Sequence, residues 1–352
     1  MSNINLLAQV RATVTVDIDS MEHEAAKTLA SQSGKFRDMT SNQAIVHGQV
    51  VEQWERLSPQ VLEYVEKNSL DIGKEGDVLK VINLLTVLLA SQVLPNLTGR
   101  VHAQTSPSVA DDTEGTIEHA KALVRLFELY GIQRDRVTIK IPATPASMVA
   151  CQRLEALNPP IRTLATCLFS VPQAVSAWQA GCLYVAPYFN ELGVHFDTEP
   201  VMWKQYADTV KEHPMASIIY SIVQTFKRLR GDSPVPKTLV MPASIVTTDE
   251  VVALTRLGPD HLTISAGVLQ KMVEPSSGVQ AAALQPVIFE NLGAVEDDVL
   301  RADYLANGGK NLQEAIGGDS ETARKISDAL RIFGQKETET KKFLRAKLLG
   351  AS

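Results

Sequence analysis

Arg136-Val137-Thr138-Ile139-Lys140-Ile141-Pro142 reads as a short strand with a charged residue near its end. Side chains alternate across a strand, so Val137, Ile139 and Ile141 share one face and Arg136, Thr138 and Lys140 the other. The apolar face suits packing against helices. The opposite face turns Lys140 inward, where a cation is disfavoured. A buried lysine loses its proton more easily, and its neutral amine can attack a carbonyl. The same pattern also fits a lysine that snorkels to the surface or pairs with a core carboxylate.

Working outward, similar β-rich runs alternate with helical patterns. Candidate strands are Thr13 to Asp17, Gly99 to Gln104, Arg136 to Ile141, Ile161 to Cys167, Cys182 to Pro187, Lys237 to Pro242 and His261 to Ser265, with a weaker eighth around Phe36 to Thr40. The clearest helix is Thr113 to Tyr130, where Ile117, Ala120, Leu123, Val124, Phe127 and Tyr130 fall on one face. Asp111, Asp112 and Thr113 can cap its start, and Gly131 ends it. Val78 to Leu94 is more continuously apolar, as a well-buried helix would be. Strand–helix alternation implies a parallel sheet with helices outside. About eight units suggest a closed (β/α)₈ TIM barrel, whose active site lies where the strands end. No GxGxxG follows the first strand, so the dinucleotide-binding alternative lacks its main sign. The chain reads as one domain, residues 1–352. The barrel covers about 10–272, and a helical extension over about 273–352 packs across it. In that extension Ile326, Leu330, Phe333, Phe343 and Leu344 can face the barrel.

Composition narrows the function. The 352 residues are 45% hydrophobic and 21% charged, with net charge −6 and 34 basic residues spread along the chain. That argues against nucleic acid as a partner. Three cysteines, Cys151, Cys167 and Cys182, form no CxxC, which points to reduced thiols and no zinc site. No stretch approaches about 18 uninterrupted apolar residues, and the N-terminus lacks a basic segment before an apolar run. A cytoplasmic protein with no membrane contact, no metal and no cofactor is expected. Nothing fixes the oligomer, which leaves room for a homodimer.

Other residues could serve the same rim as Lys140. Asp17 closes the first strand, and a carboxylate beside an amine nucleophile can move a hydroxyl proton. It could also cap the following helix, but Asp19 and Ser20 are better placed for capping, which leaves Asp17 free. Asn42 could hold a substrate oxygen or merely turn the chain.

Taken in order, these segments resemble the transaldolase family over about Thr13 to Met272. Asp17 resembles the family's first-strand aspartate. Asp38-Met-Thr-Ser-Asn42-Gln resembles its D-A-T-T-N-P segment. Asp135 to Lys140 resembles the D-R-I-L-I-K that carries the family's Schiff-base lysine. Thr166-Cys-Leu-Phe-Ser170 resembles T-L-L-F-S, and Val240-Met-Pro-Ala-Ser244 resembles V-M-G-A-S. The resemblance implies a metal-free barrel enzyme with Lys140 as its nucleophile. It also implies that Asn42, Ser244 and Thr40 orient substrate oxygens.

Departures from the family are as informative. Its third-strand glutamate is Gln104 here, which can hold a water but cannot take its proton. The S-P-F-V-G-R of the sixth strand reads Ala186-Pro187-Tyr188-Phe189-Asn190-Glu191. The serine has become Ala186, and Glu191 stands where an arginine grips substrate phosphate. Val246 stands where a second arginine follows A-S-F. Bidentate arginine–phosphate contacts are strong, and Glu191 in that place would repel a dianion. Gln104 and Tyr188, beside Thr166, resemble the fructose-6-phosphate aldolase subgroup, where such residues hold the water that serves the enamine carbon. Drift in a barrel that has lost activity would leave the same substitutions.

The expected function is therefore a class I aldolase acting through a lysine imine on a small carbonyl substrate without phosphate. Its expected catalytic residues are Lys140, Asp17, Gln104, Thr166 and Tyr188, and a specialised biosynthetic role fits better than the pentose phosphate pathway. An ordinary transaldolase would instead need a new phosphate site from Arg100, Arg162, Lys227 or Arg228. A non-catalytic binding protein is the alternative of another class.

Overall fold

A computed structural model describes residues 4–196, 203–231, 238–275, 277–290, 292 and 294–350. Its strands are β1 Thr15–Ile18, β2 Val101–Gln104, β3 Val137–Pro142, β4 Thr163–Leu168, β5 Tyr184–Pro187, β6 Leu239–Val240 and β7 His261–Ile264. Every pairing is parallel, and β2 to β6 lie side by side in chain order. Between β6 and β7, Asp260 N donates to Val240 O at 3.0 Å and Thr263 N to Pro242 O at 3.2 Å. β7 then pairs with β1.

Residues 36–40 close the ring between β1 and β2. Ile18 N donates to Asp38 O at 3.0 Å and Thr40 N to Ile18 O at 2.9 Å. On the other side Met39 N donates to Arg100 O at 2.9 Å and His102 N to Met39 O at 2.8 Å. The weak eighth strand of the sequence is thus a stave that bonds both neighbours without forming a regular ladder. The result is a closed (β/α)₈ barrel. Lys237, read as the start of a strand, lies outside the described residues.

The helices follow the apolar pattern closely. Thr113–Leu129 starts where the Asp112 side chain accepts from Gly115 N at 3.0 Å, and Gly131 follows it with φ +79°. Glu75–Val93 is long and apolar enough to cross a membrane, but 67% of that apolar window is buried, and the helix packs on β2 and neighbouring helices. The last helix, Ser320–Leu349, is capped by Asp319. It buries Ile326, Phe333 and Leu344, with Leu330 and Phe343 half-buried. It packs on helices Gln43–Glu52 and Glu75–Val93 and on segments 107–109 and 192–196, which follow β2 and β5. It therefore crosses the end of the barrel where the strands finish.

Closure requires Gly99. Its N–H donates to Arg37 O at 2.6 Å, and a Cβ there would overlap the Asp38 carboxylate and the Arg37 carbonyl. Gly99→Ala should lower unfolding free energy by about 1–3 kcal/mol, the usual cost of forcing a methyl into a packed site. An unchanged urea midpoint would contradict this account of the closure.

Candidate active site

Lys140 is 2% exposed and pairs in register with Gln104 of β2. Its side chain does point inward, because it lines a cavity of about 270 Å³ at the C-terminal end of the barrel. Burial lowers the pKa of the amine, and the charge of Asp19 draws it partly back up. Burial thus makes the neutral, nucleophilic amine easier to reach than on a solvated lysine, and the Asp19 side chain faces the same cavity.

The carboxylate in this cavity is Asp19, and Asp17 lies below it. Asp17 is fully buried within β1, in register with Thr263. Its oxygens accept from His261 Nδ1 at 2.8 Å and Asp38 N at 2.9 Å. Strand parity sends Asp17 and Asp19 to the same interior, but two residues of rise, roughly 6–7 Å, separate their layers. β1 also begins two residues later than the sequence reading placed it. Nor does Asp19 cap a helix: Ser20 Oγ accepts from Glu22 N at 3.1 Å, while Asp19 Oδ1 accepts from Thr40 Oγ1 at 2.6 Å. Thr40 Oγ1 is 2.6 Å from Thr263 Oγ1 as well, so Thr40 positions Asp19 from behind.

Below this level the barrel holds a buried polar cluster. Asp38 Oδ2 is 3.0 Å from His102 Nε2, and Asp38 Oδ1 accepts from Arg100 N at 2.7 Å. Burial would raise the Asp38 pKa, but these bonds and His102 hold it below the usual carboxylate range. Burial raises Asp17, with His261 opposing that rise. For His261, burial would lower the value, but the charge and hydrogen bond of Asp17 keep it above the ordinary 6.5.

Tyr188 follows β5 and also lines the Lys140 cavity, with Lys140 Nζ 5.8 Å from its ring centre. Thr166 Oγ1 donates to the Tyr188 hydroxyl at 3.0 Å. The neighbouring Cys167 has φ +51° where β4 shifts register against β5. Burial pushes its thiol up to about 12 and the Tyr188 phenol well above its ordinary value. Both therefore keep their protons, and Tyr188 is placed to donate.

Asn42 lines the cavity too, but its side-chain oxygen accepts from Ala44 N and Ile45 N and so starts the next helix. Its two readings are compatible, since only the amide NH₂ is left for substrate. Ser244 lines the wall with φ +62°, and its Oγ is 2.8 Å from His195 Nε2. Ala44, Ile45, Leu192, Phe196, Ala243 and Ile245 make the rest mainly apolar.

Gln104 is turned away from this cavity. Its Nε2 donates to Gln43 Oε1 at 2.6 Å, and its Oε1 is buried without a partner. It faces a chamber of about 20 Å³ shared with Ser106, His119 and Glu337, with Asn42 in the wall between the two spaces. That volume admits one water. Glu191 does not line the cavity and is no free anion. Both its oxygens accept from Arg324 of the last helix at 2.9 Å. Among the described residues, no group of three or more His, Cys, Asp or Glu side chains could hold a metal ion.

Residues 15–316 match the family described as transaldolase/fructose-6-phosphate aldolase. The chain belongs to this family. It is 25% identical to a transaldolase of Protochlamydia amoebophila over 97% of each chain, and 25% identical to transaldolase A of Escherichia coli K12 over 98% of this chain and all of that one. A transaldolase of Bos taurus is also 25% identical, over 99% of this chain and 95% of its own. Transaldolase-family enzymes typically act through a Schiff base, and this chain is an enzyme of that aldolase and transferase type. Among solved structures, an IMP dehydrogenase/GMP reductase-like protein of Corynebacterium glutamicum aligns at TM-score 0.43 and 11% identity, covering 93% of this chain and 80% of that one.

Asp19 and His195 line the cavity but were not among the expected site residues. The parity shared by Asp17 and Asp19 was the available signal for the first. His195 lies on the irregular turn Leu192–Phe196, where no periodicity exists to read.

Two substitutions should separate the acidic layers. Asp17→Ala should cost about 3–5 kcal/mol, because it leaves His261 buried without its counter-charge. Asp19→Asn should leave the denaturation midpoint nearly unchanged and cut turnover about 10²–10⁴-fold. The reverse pattern would restore Asp17 to the site. The raised value of His261 adds stability that is full below its unfolded value near 6.5 and is lost as pH rises through its folded one. Urea midpoints should therefore fall above about pH 6.5, and less so in His261→Asn.

Proposed function

We propose that Lys140 forms an imine with a small unphosphorylated hydroxy-ketone or aldehyde, and that the enzyme makes or breaks the adjacent carbon–carbon bond. The observation that carries this reading is a desolvated amine in a cavity whose lining, among the described residues, has one carboxylate, one protonated phenol and no arginine. In the cleavage direction, Asp19 takes the proton of the hydroxyl on the carbon being released. The bond electrons pass into the iminium and give an enamine. Tyr188, hydrogen-bonded to Thr166, then protonates the enamine carbon, and water frees the product from Lys140.

The lack of an arginine supports an unphosphorylated substrate. Val246 does not line the cavity, and its backbone N–H is taken by Glu250 Oε2 at 2.7 Å. Arg324, the partner of Glu191, is already shared by Glu191, Glu321 and Asp328. A specialised biosynthetic role fits this site better than the pentose phosphate pathway. The relatives named transaldolase favour a second reading, sugar-phosphate transfer. Arg162 and Arg228 are paired with Glu155 and Asp297, and neither they, Arg100 nor Lys227 line the cavity.

Borohydride should trap dihydroxyacetone on Lys140 alone, as read by peptide mass spectrometry. Lys140→Ala should abolish the adduct and shift stability by no more than about 1–2 kcal/mol, since it removes a buried amine. An adduct on another lysine would overturn the mechanism. Phosphate and sugar phosphates should bind no tighter than about millimolar, a level of weak contact worth about 4 kcal/mol. Micromolar affinity for a sugar phosphate would establish the transfer reading instead.

Tyr188→Phe keeps the ring and should leave stability within about 1.5 kcal/mol, the net worth of one hydrogen bond. Imine formation should persist, while turnover falls about 10²–10⁴-fold. Unchanged turnover would reduce Tyr188 to packing.

A further inference from the structure

We infer that His195 and Ser244 form a proton relay between bulk water and the Lys140 cavity, an inference that rests on the imine chemistry proposed above. His195 belongs to an exposed position on the turn Leu192–Phe196, yet its Nε2 lies 2.8 Å from Ser244 Oγ. Both side chains line the same cavity as Lys140. One partner of the pair thus meets solvent, and the other faces the reacting space.

The interior groups need such a connection. Lys140, Thr166 and Tyr188 are each at most 2% exposed. Asp19 is half-buried, and one of its oxygens is occupied by Thr40. Imine formation draws a proton from outside, because the carbinolamine hydroxyl leaves as water. In the relay, the Ser244 hydroxyl gives its proton to that departing oxygen as the carbon–nitrogen double bond forms. His195 Nε2 returns a proton to Ser244, and its Nδ1 takes one from solvent. The net change is one solvent proton consumed, one water released and one iminium formed. The reverse sequence serves hydrolysis.

The backbone holds Ser244 for this task. A serine at φ +62° is strained, and such strain survives only where neighbours fix it. Asn190 does so through both its backbone N–H, at 3.2 Å, and its Nδ2, at 2.9 Å, each donating to Ser244 O. The same Nδ2 is held by Glu250 Oε2 at 2.9 Å. Packing around the imidazole lowers its pKa, with Asp19 and Glu250 opposing. With Nε2 on Ser244 Oγ, the ring offers its second nitrogen to accept and release a proton in turn.

The test follows the rate and the final extent of borohydride-trapped adduct, using dihydroxyacetone, hydroxyacetone and glycolaldehyde as probes at fixed pH. His195→Ala should slow adduct formation about 10²-fold, the scale of a lost acid–base group. Its final extent should not change, because a relay alters rates and not the equilibrium. Added imidazole should recover at least about tenfold in His195→Ala, since the vacated position opens to solvent. Ser244→Ala should slow the same step without rescue, and the double variant should be no slower than the slower single one. An unchanged rate in His195→Ala, a slowed rate that imidazole does not restore, or equal rescue of Ser244→Ala would overturn the relay. Absence of any wild-type adduct, or its persistence in Lys140→Ala, would overturn the Lys140 reading and this inference with it.

Discussion

The site depends on keeping one amine dry. At neutral pH a solvated lysine is almost wholly protonated and cannot attack a carbonyl. Burial of the strand on both faces lowers the pKa of Lys140 and moves it toward the neutral form. Burial, however, also opposes the iminium of the proposed reaction. In that reaction Asp19 would resolve the conflict, since its charge acts on the amine while its side chain stays half-buried. A deeper carboxylate would pin the lysine as an ion pair, and none at all would leave the iminium without a counter-charge.

The barrel separates two kinds of buried acid by depth. Asp17 and Asp38 form the floor, paired with His261 and His102 and fully enclosed. They connect β1, residues 36–40, β2 and β7, and so tie together the part of the ring with the least regular strand pairing. Asp19 comes two residues after Asp17 and has the same parity, but it emerges above the last paired residue of β1. The layer that stabilises the barrel and the layer that can do chemistry are thus consecutive turns of one pleat.

This geometry explains which features could be read from the sequence. Alternation on β3 showed that Lys140 faces inward, and the order of strands and helices implied the barrel. Both are local patterns of period two and 3.6. The choice between Asp17 and Asp19 was not legible, because it depends on where β1 begins against β7. Thr13 N and Val14 N turn back to Val10 O, and this sets the strand two residues later. Glu191 looked like a free anion because its partner, Arg324, lies 133 residues away on the last helix. Gln104 has the expected inward register, but its side chain is captured by Gln43 of helix Gln43–Glu52, 61 residues earlier. Long-range partners decide what each polar group is free to do, and no sequence period reports them.

The last helix also bears on specificity. It holds Glu191 through Arg324, and Lys336 lies 5.2 Å from the ring centre of Phe196. The turn carrying His195 lies between these two contacts. A glutamate in place of an arginine is therefore more than the loss of a phosphate grip, because it gives the helix a charged anchor at the cavity mouth. These contacts hold the turn that places His195 beside Ser244. The small unphosphorylated substrate proposed for this site would lack a remote charge to spend on its own orientation. Preorganised walls, with Asp19 held by Thr40 and Ser244 by Asn190, are the compensation such a substrate requires.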